Sequence, residues 1–265
     1  MEVLKNIVFQ LAIFIVLIYV VGYVISLINR TFYKLTGGGR AVCYATGFIG
    51  TPIHELAHAS MCLVFFHKIA EIKLFQIDDS GVLGYVSHNY NRKNIYQVIG
   101  NYFIGVAPII VGAFVLLLVL KLLLPDAFTL SKDYIAEFIS VQGGNIGENI
   151  VSDLFNVVKG VIVAIFTAEF SWKMIVFFIV SLCIALHMSL SGADIKGSLG
   201  ALPFLIILVV ALNYILSIFP SVYAGFYGGI VTASCFLIAV LAISLIFSCM
   251  VLVIGVIVSL IRKIF

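Results

Sequence analysis

Three stretches of this chain, residues 6–28, 199–219 and 228–261, contain no acidic, basic or histidine side chain. Each is at least as long as the roughly 20 apolar residues that carry a helix across the hydrocarbon of a bilayer. Backbone in hydrocarbon must bond its own N–H and C=O groups, so such runs fold as helices. Charged residues make up 10% of the 265-residue chain, against about a quarter in soluble proteins. Together with runs of that length, this ratio excludes a soluble protein with an enlarged core. It implies an all-α fold, a polytopic membrane helix bundle in contact with the lipid bilayer and expected in the cell membrane. The net charge of +3 is small and scattered, which excludes nucleic acid as a partner.

About six transmembrane helices are expected, at 6–28, 41–66, 95–124, 172–190, 199–219 and 228–261, in one integral membrane domain covering residues 1–265. The first run is too long for a signal-peptide core and lacks a small-x-small cleavage site, so it is expected to be retained. The last is longer than a bilayer requires, which predicts one tilted, projecting helix or a helix broken near Gly255. Lysine and arginine divide almost evenly between the two sets of loops, which leaves orientation open. Two connections carry structure of their own. Residues 69–77 and 82–90 are β-prone runs joined by Asp78-Asp79-Ser80-Gly81, which predicts a small hairpin after the second span. Residues 131–171 interleave Asp133, Glu137, Glu148, Asp153, Lys159 and Glu169 with apolar residues around Gly143-Gly144. That pattern predicts an amphipathic interfacial insert of two helices. The five cysteines lie in or beside apolar runs and are expected to be small buried hydrophobes.

Within the second run stands His54-Glu55-Leu56-Ala57-His58. Residues four apart share a helix face, so both imidazoles can reach one tetrahedral ion, and Zn²⁺ is the expected cofactor. Glu55 is the candidate catalytic residue, placed to polarise water rather than to bind metal. Ionisable side chains inside spans are costly and mostly functional. The other such group is His187 and Asp194, with Ser191 between them. Catalytic zinc takes three protein ligands and a water, so Asp194, His187 or both are expected to complete the set. The two lie about 10 Å apart along an unbroken helix, so joint binding requires a break near Ser191-Gly192. His67 and His88 have no partner at metal spacing and are expected to be interfacial, not ligands. Asn101 and Asn213 are expected to stabilise helix packing.

These motifs resemble the site-2 proteases, zinc metalloproteases that cut peptide bonds within the membrane. The approach Gly47-Phe48-Ile49-Gly50-Thr51-Pro52-Ile53 and the H-E-x-x-H that follows are similar to the family's first motif. Ser191-Gly192-Ala193-Asp194-Ile195-Lys196-Gly197 stands where the family carries an N/S-P-D-G-like motif, with Ala193 in place of proline and two residues before the glycine. Gly105-Val106-Ala107-Pro108 is faintly similar to the family's Gly-Pro element, without its downstream asparagine. The resemblance covers a metalloprotease-like core at residues 41–200. It implies His54, His58 and Asp194 as metal ligands, with His187 retained as a fourth ligand or a supporting residue. It also implies Glu55 as general base, a membrane-protein or peptide substrate, and an extended peptide held against residues 69–90. A regulatory membrane partner is an open expectation.

Three other readings compete. A zinc carrier would need ligands along a pathway and lacks the His/Asn/Asp motif of one zinc-carrier family. A protease of the prenyl-protein-processing type would need a downstream Glu with a nearby His, which Glu137, Glu148 and Glu169 do not offer. A catalytically inactive regulatory homologue would have no need of an intact His54, Glu55 and His58.

Overall fold

The computed structural model describes residues 2–37, 40–77, 81–142 and 149–264. The expected turn residues Asp78, Asp79 and Ser80, the Gly143-Gly144 break and Glu148 lie outside them. The first run forms α1 (Glu2–Leu11) and α2 (Ile18–Leu35), one rod joined by a π-helical stretch at Ala12–Leu17. Within it, the Phe14 carbonyl accepts a hydrogen bond from the Tyr102 hydroxyl. The motif-bearing helix is α3 (Arg40–Val64), followed by β1 (Lys68–Lys73) and β2 (Tyr85–Asn89). The two strands form the expected antiparallel hairpin, with Ile69 opposite His88. Then come α4 (Ile95–Leu123), α5 (Pro125–Gln142), α6 (Ile150–Thr167), α7 (Trp172–His187), α8 (Gly192–Ser217) and α9 (Pro220–Ile264).

Among the described residues, five helices are long and apolar enough to cross a membrane: Glu2–Leu35, Ile95–Leu123, Ile150–Thr167, Gly192–Ser217 and Pro220–Arg262. The chain is thus an α-helical, multi-pass membrane bundle with one small hairpin. The five differ from the expected six in an instructive way. The helix α3 is not among them, because His54, Glu55 and His58, together with Thr46, Thr51 and Pro52, dilute its apolar character. At 16 residues, α7 is about 24 Å long, short of the hydrocarbon thickness. Conversely α6, expected as half of an amphipathic insert, is apolar and buries Val157, Val161, Ala164 and Ile165 in the main core.

At the centre lies α4, which packs on α3, α5, α7, α8 and α9 and contributes to both apolar cores. The last helix, α9, is continuous through Gly255, and at 45 residues is about 68 Å long. It runs parallel to the α1–α2 rod. Near one end the Asn6 amide bonds the Tyr223 hydroxyl at 3.0 Å. Toward the other end Gly255 lies against Phe32, and Gly37 lies against Arg262.

Asn213 takes the packing role expected of it. It exchanges side-chain amide bonds with Gln10 at 3.1 and 3.0 Å and accepts the Tyr223 hydroxyl at 3.1 Å. Both amides are buried, so each is the other's replacement for water. Gln10→Leu is expected to destabilise the protein by about 0.6–1.7 kcal/mol. Unfolding of the detergent-solubilised chain measures this, and an unchanged or raised midpoint would remove the network from the account.

Candidate metal centre

The H-E-x-x-H pair is oriented by two backbone carbonyls that have lost their usual partners. In a helix the carbonyl of residue 104 would accept the N–H of residue 108, but Pro108 has none. The Ile104 carbonyl instead accepts from His58 Nδ1 at 2.7 Å. His187 is the last residue of α7, where carbonyls are also left over. Its oxygen accepts from His54 Nδ1 at 2.6 Å. With both Nδ1–H groups so committed, each ring presents the lone pair of Nε2. This is the tautomer that binds metal.

Asp194 reaches the same place because the polar stripe of His187, Ser191 and Asp194 is not one helix. Helix α7 stops at His187, the connection runs through Met188–Leu190, and α8 starts at Gly192 with Ser191 as its N-cap. Buried Met188 and Leu190 hold this connection inside the bundle. Asn29 of α2 donates to the Leu186 and Ala185 carbonyls at 2.9 and 3.3 Å, so the end of α7 is satisfied away from water. Ser191 and Asp194 form a capping box, in which the Ser191 N–H donates to Asp194 Oδ2 at 2.7 Å. The carboxylate is thereby fixed at the positive end of α8.

The three side chains converge. His54 Nε2 and His58 Nε2 are 3.1 Å apart, and His58 Nε2 stands 3.2 Å from Asp194 Oδ1. His54 Nε2 lies 3.7 Å from Asp194 Oδ2. One ligand atom from each falls within 4.8 Å of the others, so the group can hold a metal ion. The donor set passes a chemical test of fit: two pre-oriented imidazoles and one carboxylate can hold a divalent ion and leave a position for water.

His187 is placed differently from a ligand. Its ring nitrogens bond Thr46 Oγ1 at 3.1 Å and Thr51 Oγ1 at 3.3 Å, so its side chain is occupied and its backbone serves the site. Two glycines permit this packing. A Cβ at Gly50 would overlap the Cys183 carbonyl and the His187 ring, and one at Gly105 would lie 2.5 Å from the Asp194 carbonyl.

Glu55 is 6% exposed and makes no hydrogen bond among the described residues. It opens on a cavity of about 420 Å³ whose wall includes His54, His58, Asp194, Asn101 and His88. Residues 81–84 pass close by, and a Cβ at Gly84 would stand 2.9 Å from Glu55 Cγ. Gly81, from the expected hairpin turn, lines a neighbouring pocket with His54 and Glu55. Asn101 donates to its own helix at Gln97 and Val98, so cavity lining rather than interhelical packing is its distinguishing position.

His67 and His88 correct an expectation. Sequence spacing gives them no partner, but the hairpin brings their Nδ1 atoms to 3.0 Å, and Cys62 joins them in a second group of metal-capable atoms within 4.8 Å. Burial holds both imidazoles below their ordinary pKa, His88 further through its neighbours His67 and His58.

Comparison with known protein families, curated proteins and solved structures finds no match to this chain.

Sequence reasoning missed Asn29 and the role of Pro108, which it named only within a Gly-Pro element. A proline four residues after a carbonyl in an apolar run was the available signal for the latter. Divalent metal content is expected to fall sharply in Asp194→Ala and less in His187→Ala, read by elemental analysis of the purified chain. The reverse order would reassign the third ligand. Pro108→Ala restores an ordinary helix and releases the Ile104 carbonyl from His58. It is expected to weaken metal affinity about tenfold with thermal stability unchanged or raised. Unchanged affinity in a metal titration would show that the carbonyl does not orient the ring.

Proposed function

We propose that this protein is a membrane-embedded zinc metalloprotease of the site-2 protease type, hydrolysing peptide bonds of membrane-protein substrates. The observation that carries the reading is the convergence of His54, His58 and Asp194, from α3 and the start of α8, beside a Glu55 with no hydrogen-bond partner among the described residues. A zinc ion held by these three residues would supply Lewis acidity, making a water acidic enough to attack a peptide carbonyl near neutral pH.

The chain's own residues do the remaining work. Ile104 and His187 hold the imidazoles in their ligating tautomer through backbone oxygens. Glu55 faces the cavity without a hydrogen-bond partner among the described residues, so its carboxylate is available to take the proton of the attacking water and return it to the leaving amine. The helices around the cavity limit access of bulk water. A substrate helix must unwind to present an amide here. The strand β2 and residues 82–84 form one wall, against which an extended peptide can lie.

Glu55→Gln is the decisive variant. Zinc-dependent cleavage of a transmembrane peptide in detergent is expected to fall by about 10²–10⁴-fold, with bound zinc nearly unchanged. Loss of zinc together with activity would make Glu55 a ligand. Zinc flux into proteoliposomes with no cleavage by the wild-type chain would favour a carrier instead.

A further inference from the structure

We propose that Cys62, His67 and His88 form a second metal site, for a zinc-class ion, that fastens the β-hairpin to the C-terminal end of α3. The inference is independent of the proteolytic reading. It rests on three donors from three consecutive pieces of chain: the last turns of α3, the residue before β1, and β2.

The local backbone is built to bring the first two together. Helix α3 ends in a Schellman motif, with the His67 N–H bonded to the Cys62 carbonyl at 2.8 Å and the Phe66 N–H to Leu63 at 3.2 Å. The left-handed position of that motif is usually glycine, yet Phe66 occupies it at φ +55°. Among the described residues it is the one non-glycine with positive φ. Residues of α4 then hold the turn in place. Tyr96 donates to the Val64 carbonyl at 2.9 Å, and the Gln97 side chain donates to that of Phe66 at 2.8 Å.

Gln97 also sets the chemistry of His67. Its backbone oxygen accepts from His67 Nε2 at 2.8 Å, which puts the ring proton on Nε2 and the lone pair on Nδ1. The ring is further held by stacking on Tyr90, 5.1 Å between centroids. Its Nδ1 faces His88 Nδ1 at 3.0 Å, beside the fully buried Cys62 thiol. An imidazole with one nitrogen donating to a backbone carbonyl and the other aimed at further donors is the usual arrangement of a metal-bound histidine. Two imidazoles and a thiolate suit zinc better than magnesium or calcium, and leave one tetrahedral position for water. Binding displaces the Cys62 thiol proton to solvent.

The site would have structural consequences. Its β2 ligand, His88, also lines the cavity that contains His54, His58 and Asp194, so the ion would fix one wall of that cavity.

Cobalt substitution of the full-length chain in detergent tests the proposal, because a thiolate ligand gives Co²⁺ a charge-transfer absorption in the near ultraviolet. The His54, His58 and Asp194 group contains no sulfur and cannot produce that band. Expected is a thiolate band in the wild type that is lost in Cys62→Ser and His88→Ala and kept in His58→Ala. Absence of the band in folded wild-type protein would overturn the site without recourse to any variant. A band that survives Cys62→Ser would do the same. If the band appears but total metal is unaffected by His58→Ala, the second site stands and the first fails. The fastening role is read separately: trypsin should cut after Lys68 and Lys73 at least several-fold faster in metal-stripped protein and in His88→Ala. Equal rates with and without metal would reject it.

Discussion

A backbone carbonyl that loses its helical partner inside a bundle needs another donor, and two in this bundle take the rings of His54 and His58. One is free because Pro108 cannot donate to it, the other because α7 ends. The same requirement that forces the chain into helices thus decides which nitrogen of each histidine is left for a metal. The break between α7 and α8 serves the site twice. It supplies the His187 carbonyl, and it lets Asp194 begin a new helix instead of standing about 10 Å further along the old one.

Interruptions of helix inside a bundle need protein partners, and neighbouring elements provide them. Asn29 covers the last carbonyls of α7, Ser191 and Asp194 cap α8, and Gly105 lets α8 approach α4 closely enough for the carboxylate to meet the histidines. Substitution at Asn29, Ser191 or Gly105 would disturb the site without touching a ligand. Their effect is on geometry, and metal binding is the sensitive measure of it.

Much of the architecture was legible in the sequence because apolar runs and H-E-x-x-H are local signals. The hairpin and the long apolar run of α9 follow patterns visible in single segments, with a break near Gly255 left open, whereas Asp194 beside His54 and His58 was implied by the family resemblance. Other features depend on tertiary contact. The apolar burial of α6 was masked by Asp153 and Lys159, whose charges suggested an interfacial helix. The role of Asn29 required knowing which helix end it meets. His67 and His88 are 21 residues apart, and only hairpin register together with the turn after α3 makes them neighbours. The side chain of His187 was unreadable for a related reason: its threonine partners lie on another helix.

The parallel course of the α1–α2 rod and α9 carries a consequence for topology. The first helix starts beside the beginning of the last, and the rod ends beside the end of the last, so the described chain enters the bundle at one pole and leaves it at the other. Both rods exceed the hydrocarbon thickness, at about 51 and 68 Å. The outer ends of α1 and α9 accordingly stand at opposite poles of the bundle.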